Sequence, residues 1–348
     1  MPIEAFDPLR IMTDRPLKTP EIHESNDFYG HAAMVKRFLG LPPHYPIKAV
    51  LPHGSGYPGY IWKVDRDSVF PAIFTNSRHS CRLLRGKTPQ VRFPIGPAIH
   101  YARSFRDLHQ FKALKQSLGK VLLVFPPHST HHVQSLFSWE WLANDARDQG
   151  QPFDTILVCV YWKDVSRDVL DQCHQVGLTC VSAGHIFDDI FLDRSRFLLE
   201  LADAVLCYGQ TSAVGYAMHL GKPVRIGVCK TRLVADEAII LRDTTIGCSK
   251  AHNGYYKLLV RALREWSPPD HPRNRRIVDF GWGFDDVRDR ASLLRLTAIV
   301  EDVCALSREH PAPPAEVFMR QAKWYASHDK PHRADLIIRT LEQNGMLP

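Results

Sequence analysis

The chain has 348 residues, of which 45% are hydrophobic and 23% are charged, and this composition excludes a disordered protein. Its length predicts two domains, because one domain commonly holds roughly 100–200 residues. The sequence contains no apolar run of about 18 residues, so no transmembrane helix is predicted. The formal net charge of +7 favours an anionic partner, such as nucleic acid, a membrane surface or a phosphorylated substrate.

The positive charge is concentrated near the N-terminus. Residues 1–118 contain 17 Lys and Arg against nine Asp and Glu, whereas residues 119–348 contain 27 against 28. Nine basic residues and one acidic residue lie in the basic segment, residues 78–115. This pattern is typical either of one anion-binding surface or of a solvated helical face, and we expect the binding surface.

The cysteines and the N-terminus indicate the compartment. None of the eight cysteines forms a C-x-x-C pair, and several lie in apolar runs that are typical of buried, reduced thiols. The first ten residues lack the basic and apolar regions of a secretory signal. The sequence therefore predicts a cytoplasmic protein.

Strand-like and helix-like segments alternate along the first 118 residues. Helices are predicted over 31–40, 77–86 and 103–118, and strands over 47–51 and 69–77. A glycine loop follows the first of these strands. We therefore expect residues 1–118 to form an N-terminal α/β domain.

The alternation is regular from residue 119 onward. Five apolar runs predict buried strands, and they cover residues 120–127, 154–162, 178–184, 203–209 and 222–228. The intervening segments, at 133–150, 164–177, 194–202 and 212–221, have helical spacing. This order favours a parallel, doubly wound sheet in a second domain, residues 119–290. Two further helices follow the prolines at 311–314, within the C-terminal helices of residues 291–348.

Ligands of a parallel sheet bind beyond the carboxyl ends of its strands, so the residues there are the candidate site. After the fourth run, the Thr211 and Ser212 hydroxyls and a helix N-terminus can hold a phosphate; an ordinary helix cap is the alternative. After the third run, Ser182 and Gly184 permit close approach of a ligand, and His185 can bind a phosphate or a base.

Histidines and aromatic residues follow the first two runs. His128, Ser129 and Thr130 precede His131 and His132, and such a cluster can bind zinc. No nearby Asp, Glu or Cys completes a ligand set, so we expect instead contact with an anionic donor or proton transfer. After the second run, Tyr161 and Trp162 can stack on a base or a sugar, or pack under a loop.

One histidine of the N-terminal domain is a candidate general base. His53 follows a predicted strand and precedes the glycine loop, and an unperturbed histidine titrates near pH 6.5. Asp65 and Asp67, in a loop just downstream, are the alternative bases. A histidine in such a loop can also be structural, and the residues alone leave these interpretations open.

Residues 119–230 resemble the donor domain of GT-B-fold glycosyltransferases of the bacterial surface-polysaccharide type. The resemblance is carried by LTCVSAGH at 178–185, the helix and strand that follow, TSAVG at 211–215 and GKPV at 221–224. There is also some similarity to CDP-glycerol glycerophosphotransferases, whose motifs are matched by His53-Gly54 and Thr211-Ser212. The His-Pro motif usual in that family is replaced by Tyr161-Trp162.

The resemblance implies an α/β fold with two Rossmann-like domains, GT-B-like, followed by C-terminal helices. It implies a glycosyltransferase, inverting rather than retaining, that needs no metal or other cofactor. The donor would be a CMP-, CDP- or UDP-linked sugar, and the acceptor a glycan or lipid-linked molecule in capsule or lipopolysaccharide biosynthesis. An anionic surface at the inner membrane face is a further candidate partner, through the basic segment.

The resemblance also implies residue roles. Catalytic roles fall to His53, Asp65 and His128. Acceptor-binding roles fall to Gly54, Ser55, Arg78, Arg82 and Arg103. The donor-binding residues lie at the ends of the predicted strands: Ser129, Thr130, Tyr161, Ser182, Gly184, His185, Tyr208, Gly209, Thr211, Ser212 and Ala213.

Three other functions compete with a glycosyltransferase. A CDP-alcohol phosphotransferase of the CDP-glycerol type would use the same motifs. A sugar-nucleotide epimerase would place several carboxylates at the strand ends, where this sequence has histidines instead. A nucleic-acid-binding protein would use the basic segment, but that segment lacks a recognition motif, so no nucleic-acid partner is expected.

Overall fold

A computed structural model describes residues 3–13, 20–53, 58–130, 133–209, 211–235, 250–309 and 311–347. The chain divides into two compact units. Unit 1 comprises Met1–Leu17 and Ala102–Val278, and unit 2 comprises Lys18–Tyr101 and Asp279–Pro348.

The described residues form helices and short strands throughout. The helices are α1 (Pro8–Thr13), α2 (His31–Leu39), α3 (Lys63–Arg66), α4 (Arg78–Leu83), α5 (His109–Leu118), α6 (Trp139–Arg147), α7 (Arg167–Gln175), α8 (Phe191–Leu201), α9 (Ser212–His219), α10 (Lys250–Ala262), α11 (Pro272–Trp282), α12 (Arg290–Glu309), α13 (Pro314–Ser327) and α14 (Pro331–Gln343). The strands are β1 (Ala72–Thr75), β2 (Val91–Pro94), β3 (Val121–Phe125), β4 (Gln134–Leu136), β5 (Thr155–Cys159), β6 (Thr179–Val181), β7 (Ala204–Tyr208), β8 (Val224–Gly227) and β9 (Arg232–Val234). Among these helices, none combines the length and the apolar character that crossing a bilayer requires.

A five-stranded parallel sheet forms the centre of unit 1, in the order β6-β5-β3-β7-β8. Its five strands are the five that the sequence predicts. Val121, Leu122, Leu123 and Val124 of β3 are fully buried, as expected for a strand that is covered on both faces. The predicted α/β class with a parallel sheet is therefore confirmed.

The strand order creates a switch point between β3 and β7. The chain leaves β3 towards β5 and β6 on one side, then returns to place β7 and β8 on the other side. β3 and β7 are direct neighbours, with Leu122 opposite Ala204 and Phe125 opposite Cys207. In such sheets the loops after the two strands at this point diverge and leave a crevice for a ligand.

Two predicted helices begin later than the sequence indicates. Residues 134–136 form β4, which pairs antiparallel with β9, and helix α6 begins only after Ser138, whose hydroxyl accepts a bond from the Trp141 N–H. Helix α5 begins at His109 rather than at residue 103. The Arg103 N–H donates instead to the Asp193 carboxylate at 2.9 Å. In both cases distant partners determine the local structure.

Unit 2 contains a smaller parallel sheet. Strands β1 and β2 are paired in parallel, and Val50 forms a parallel bridge to Ile73 of β1. The predicted helical hairpin near the C-terminus is present as α13 and α14, which pack against each other.

The two units follow other boundaries than the predicted domains, 1–118, 119–290 and 291–348. The C-terminal helices group with the small sheet, because the buried Asn344 side chain bonds to both the N–H and the C=O of Arg92. Helix α5 groups with the large sheet, because Phe111 packs edge-on against Phe197 and Lys115 pairs with Asp203. These tertiary contacts leave no local signal in the sequence.

Candidate functional site

The N-terminus of helix α9 lies at the switch point of unit 1, directly after β7. Thr211 is the N-cap of this helix, and its Oγ1 accepts a bond from the Ala213 N–H at 3.4 Å. Ser212 is the first helical residue and is half-buried, whereas Ala213 is buried. The chain reaches the helix through Gly209, whose φ of 101° favours glycine over any residue with a side chain. The partial positive charge of a helix N-terminus attracts an anion.

Tyr208 differs from its neighbours in this loop. Its ring is buried in the hydrophobic core of unit 1, and its hydroxyl donates to the Asp145 carboxylate. Burial and the bond to Asp145 both raise the pKa of Tyr208. The side chain therefore anchors the end of β7, and only the backbone of Tyr208 lies at the sheet edge.

The loop after β3 holds the second group of predicted residues at the switch point. Ser129 is buried; its N–H donates to the Asp164 carboxylate at 3.0 Å, and its Oγ accepts from the Ser135 N–H. Thr130 Oγ1 accepts from the Val133 N–H at 3.2 Å. These hydroxyls therefore shape the turn into β4 instead of capping a helix. His128 is exposed beside them, and His131 and His132 lie outside the described residues.

A row of ring contacts connects the loops after β3, β5 and β6. The His128 and Tyr161 ring centroids lie 4.6 Å apart, those of Tyr161 and Trp162 5.8 Å, and those of Trp162 and His185 4.2 Å. The structure thus brings together three residues that the sequence predicts separately. Trp162 connects them, and like Tyr161 it follows the end of a predicted strand.

The loop after β6 fixes the position of His185. Ser182 is buried, donates to the Val160 carbonyl and accepts from the Gly184 N–H, each at 3.2 Å. Gly184 has a φ of 117°, and a Cβ there would lie 2.7 Å from the Asp188 carboxylate. Both residues therefore shape this loop. His185 Nδ1 accepts from the Phe187 N–H at 3.2 Å, which leaves Nε2 to carry the proton of a neutral ring.

A shallow cavity of about 580 Å³, wide open to solvent, lies where the ribbon of β4 and β9 meets the start of α6. Lys230, Thr231 and Arg232 line it on one side, and Leu136, Phe137 and Ser138 on the other. Two cations and a helix N-terminus make this cavity attractive to an anion. Lys230 and Arg232 could not be predicted as site residues, because the pairing of β4 with β9 is not visible in the sequence.

In unit 2, His53 follows Val50, the residue that forms the bridge to β1. Aromatic rings surround the His53 side chain. Its imidazole is parallel to the Trp62 indole, with 2° between the planes and 5.8 Å between the centroids. Phe28 meets it edge-on at 4.8 Å, and Tyr29 lies 6.4 Å away. His53 is half-buried, and Gly54 and Ser55 lie outside the described residues.

Asp65 and two further histidines belong to the same cluster. Asp65 is completely buried, and its Oδ1 lies 3.0 Å from His23 Nε2. Its Oδ2 has no hydrogen-bond partner among the described residues. Burial, followed by the nearby charge of His53, lowers the pKa of His31 to about 4, whereas Asp65 opposes this shift. His23 and His31 could not be found from the sequence, since 42 residues separate His23 from Asp65.

The basic segment is divided between the two units. Its residues divide between the two units at residues 101 and 102, with Arg78 and Arg82 in unit 2 and Arg103 in unit 1. Arg78 pairs with Asp286, and Arg92 is 1% exposed with its guanidinium on backbone carbonyls. Arg82 is exposed on α4. Part of the segment is therefore used within the fold, and the binding surface expected on it stays a prediction.

Comparisons with known proteins do not assign this chain to a family. No family model matches the chain. No curated protein matches it either. Among solved structures, the wall teichoic acid polymerase TagF is similar at a TM-score of 0.35 and 12% identity, over 69% of this chain and 59% of that one. The chain thus spans about three-fifths of that polymerase, and a similarity of this size does not establish a shared fold.

Proposed function

We propose that this protein is a glycosyltransferase with a GT-B-like arrangement of two Rossmann-like domains. It moves a sugar from a CMP-, CDP- or UDP-linked donor to a glycan or lipid-linked acceptor in surface-polysaccharide biosynthesis. The supporting observation is that β3 and β7 are neighbours at the switch point of unit 1. The loops that carry His128 and Thr211 therefore leave the sheet side by side, where parallel sheets bind nucleotides.

In this proposal unit 1 binds the nucleotide. Negative charge develops on the leaving phosphate during transfer, and the N-terminus of α9 with Thr211 and Ser212 stabilises it. Lys230 and Arg232 supply further positive charge at the same edge of the sheet, because they follow the carboxyl end of β8. Tyr161 and His185 offer ring faces and a ring N–H to the base or the sugar.

His53 is the general base of the proposed reaction. It accepts the proton of the acceptor hydroxyl while the new glycosidic bond forms and the bond between sugar and phosphate breaks. Asp65 is fully buried, so it serves instead to balance positive charge in the histidine cluster. His31 stays neutral near pH 7 because its pKa is about 4.

Release of nucleotide from a synthetic donor tests this function. With CDP-linked donors, transfer of a sugar releases CDP, whereas transfer of a phosphoalcohol releases CMP, so the product separates glycosyl transfer from the CDP-alcohol alternative. We expect His53→Gln to lower acceptor-dependent release by about 100-fold or more, the usual contribution of a general base, while nucleotide binding is kept. Full turnover by His53→Gln would exclude His53 as the base.

A further inference from the structure

The rings around His53 form a partly exposed aromatic surface, defined by Tyr29, His53, Tyr60 and Trp62. Trp62 is 39% exposed, and the Tyr60 ring meets it edge-on at 5.0 Å. Trp62 also contacts the His53 ring, which lies parallel to it. An exposed indole and half-buried phenol rings beside a candidate base are a surface that a ligand can cover.

The backbone holds this surface in a fixed arrangement. Tyr29 has a φ of 55°, a left-handed conformation that costs energy for a residue with a side chain, and Gly30 follows with a φ of 69°. Asn26 ties this turn to the chain before His53, since its side chain accepts from the Leu51 N–H and donates to the Ala49 carbonyl, both at 2.8 Å. Strain of this kind is typical of binding sites.

Basic residues lie beside the aromatic surface. On the adjacent helix α3, Lys63 and Arg66 both pair with Asp67, at 2.6 and 3.0 Å. Lys87 donates to the Gly59 carbonyl at 2.8 Å. Among the described residues, no Lys or Arg stacks on the rings of this surface. The rings of this surface therefore present apolar faces to a ligand.

We propose that the aromatic surface binds a sugar ring of the acceptor. The apolar CH face of a pyranose packs on Trp62 and Tyr60, and a ring hydroxyl faces the His53 imidazole. This inference rests on the proposed function for the role of His53, and it names the acceptor group at this surface as a sugar ring. It also moves acceptor recognition from the basic segment to the aromatic surface.

Saturation-transfer difference NMR with the methyl glycosides of glucose, galactose and N-acetylglucosamine tests this proposal. We expect saturation to reach the ring CH protons in the wild-type protein. Trp62→Ala should weaken binding by about fivefold or more, because it removes the stacking face. Trp62→Phe keeps a smaller face and should bind with intermediate affinity, which guards against loss of folding as the cause.

Trp324 provides a matched control. It is also in unit 2, is 45% exposed and stacks on a histidine, His328, at 4.2 Å. Trp324→Ala should leave glycoside binding unchanged. Absence of transfer from all three glycosides, or equal binding by Trp62→Ala and the wild type, would overturn the proposal; so would a Trp62-dependent signal from cytidine alone, which would assign a nucleobase. Nucleotide binding that depends on Thr211 is measured in parallel, so that its loss, and not loss of glycoside binding, counts against the proposed function.

Discussion

The buried His31 makes the stability of the fold depend on pH. Its pKa is about 4 in the folded protein, against about 6.5 in the unfolded chain, so between these values only the unfolded chain binds the proton. The free energy of unfolding is therefore unaffected by this group above pH 6.5. It decreases as the pH falls from 6.5 towards 4, by about 3 kcal/mol in total.

Denaturant unfolding of the wild type and of His31→Gln at pH 7.5 and pH 5 measures this effect. We expect the wild type to lose more stability than the variant between the two values. His328→Gln is the control, because His328 is exposed on the surface of unit 2. An equal loss in wild type and His31→Gln would show that His31 does not carry the pH dependence.

Gly184 and Gly254 should respond in opposite ways to alanine. At Gly184 the φ of 117° and the nearby Asp188 carboxylate and Arg194 guanidinium oppose a Cβ, so Gly184→Ala should cost about 2 kcal/mol. Gly254 is exposed within helix α10 and has open space around it, so Gly254→Ala should stabilise the protein by up to about 1 kcal/mol. Thermal unfolding of both variants checks the contrast, and a harmless Gly184→Ala would contradict the described loop.

At the level of elements, Asn344 attaches the end of α14 to β2. Its side chain accepts from the Arg92 N–H at 2.8 Å and donates to the Arg92 carbonyl at 2.9 Å, and all these groups are buried. Asn344→Ala leaves both without partners and should cost about 3 kcal/mol. Denaturant unfolding compares it with Gln343→Ala, whose side chain is exposed and should change little. Similar stability of the two variants would refute this attachment.

The elements that the sequence predicts well are those whose own residues determine them. Strands such as β3 and β7 are short, fully apolar runs between helices, and burial on both faces leaves this pattern in the sequence. β4 and the start of α5 are different, because β4 needs β9 as its partner, and residues 103–105 are held by Asp193 and Glu200. Such long-range bonds override the local spacing of apolar residues.

At the level of the whole molecule, the candidate site also contains residues that local sequence predicts and residues that depend on long-range contacts. Residues at strand ends, such as His128, Tyr161 and His185, could be found from sequence, because the edge of a parallel sheet brings strand ends together. His53 and Asp65 could be named only as alternatives, since their shared cluster with His23 depends on a contact across 42 residues. The partners of the basic segment could not be predicted from the sequence, because a count of charges does not show which are already paired.

The most direct test of the central claim is nucleotide binding at the N-terminus of α9, measured as the thermal shift caused by CMP, CDP and UDP. Thr211→Ala and Ser166→Ala each remove a helix N-cap in unit 1 and should each cost about 1 kcal/mol of stability. We expect at least one nucleotide to raise the melting temperature of the wild type and of Ser166→Ala, and to raise that of Thr211→Ala much less. If no nucleotide shifts the wild-type protein, or if Thr211→Ala responds like Ser166→Ala, unit 1 does not bind its donor at this helix.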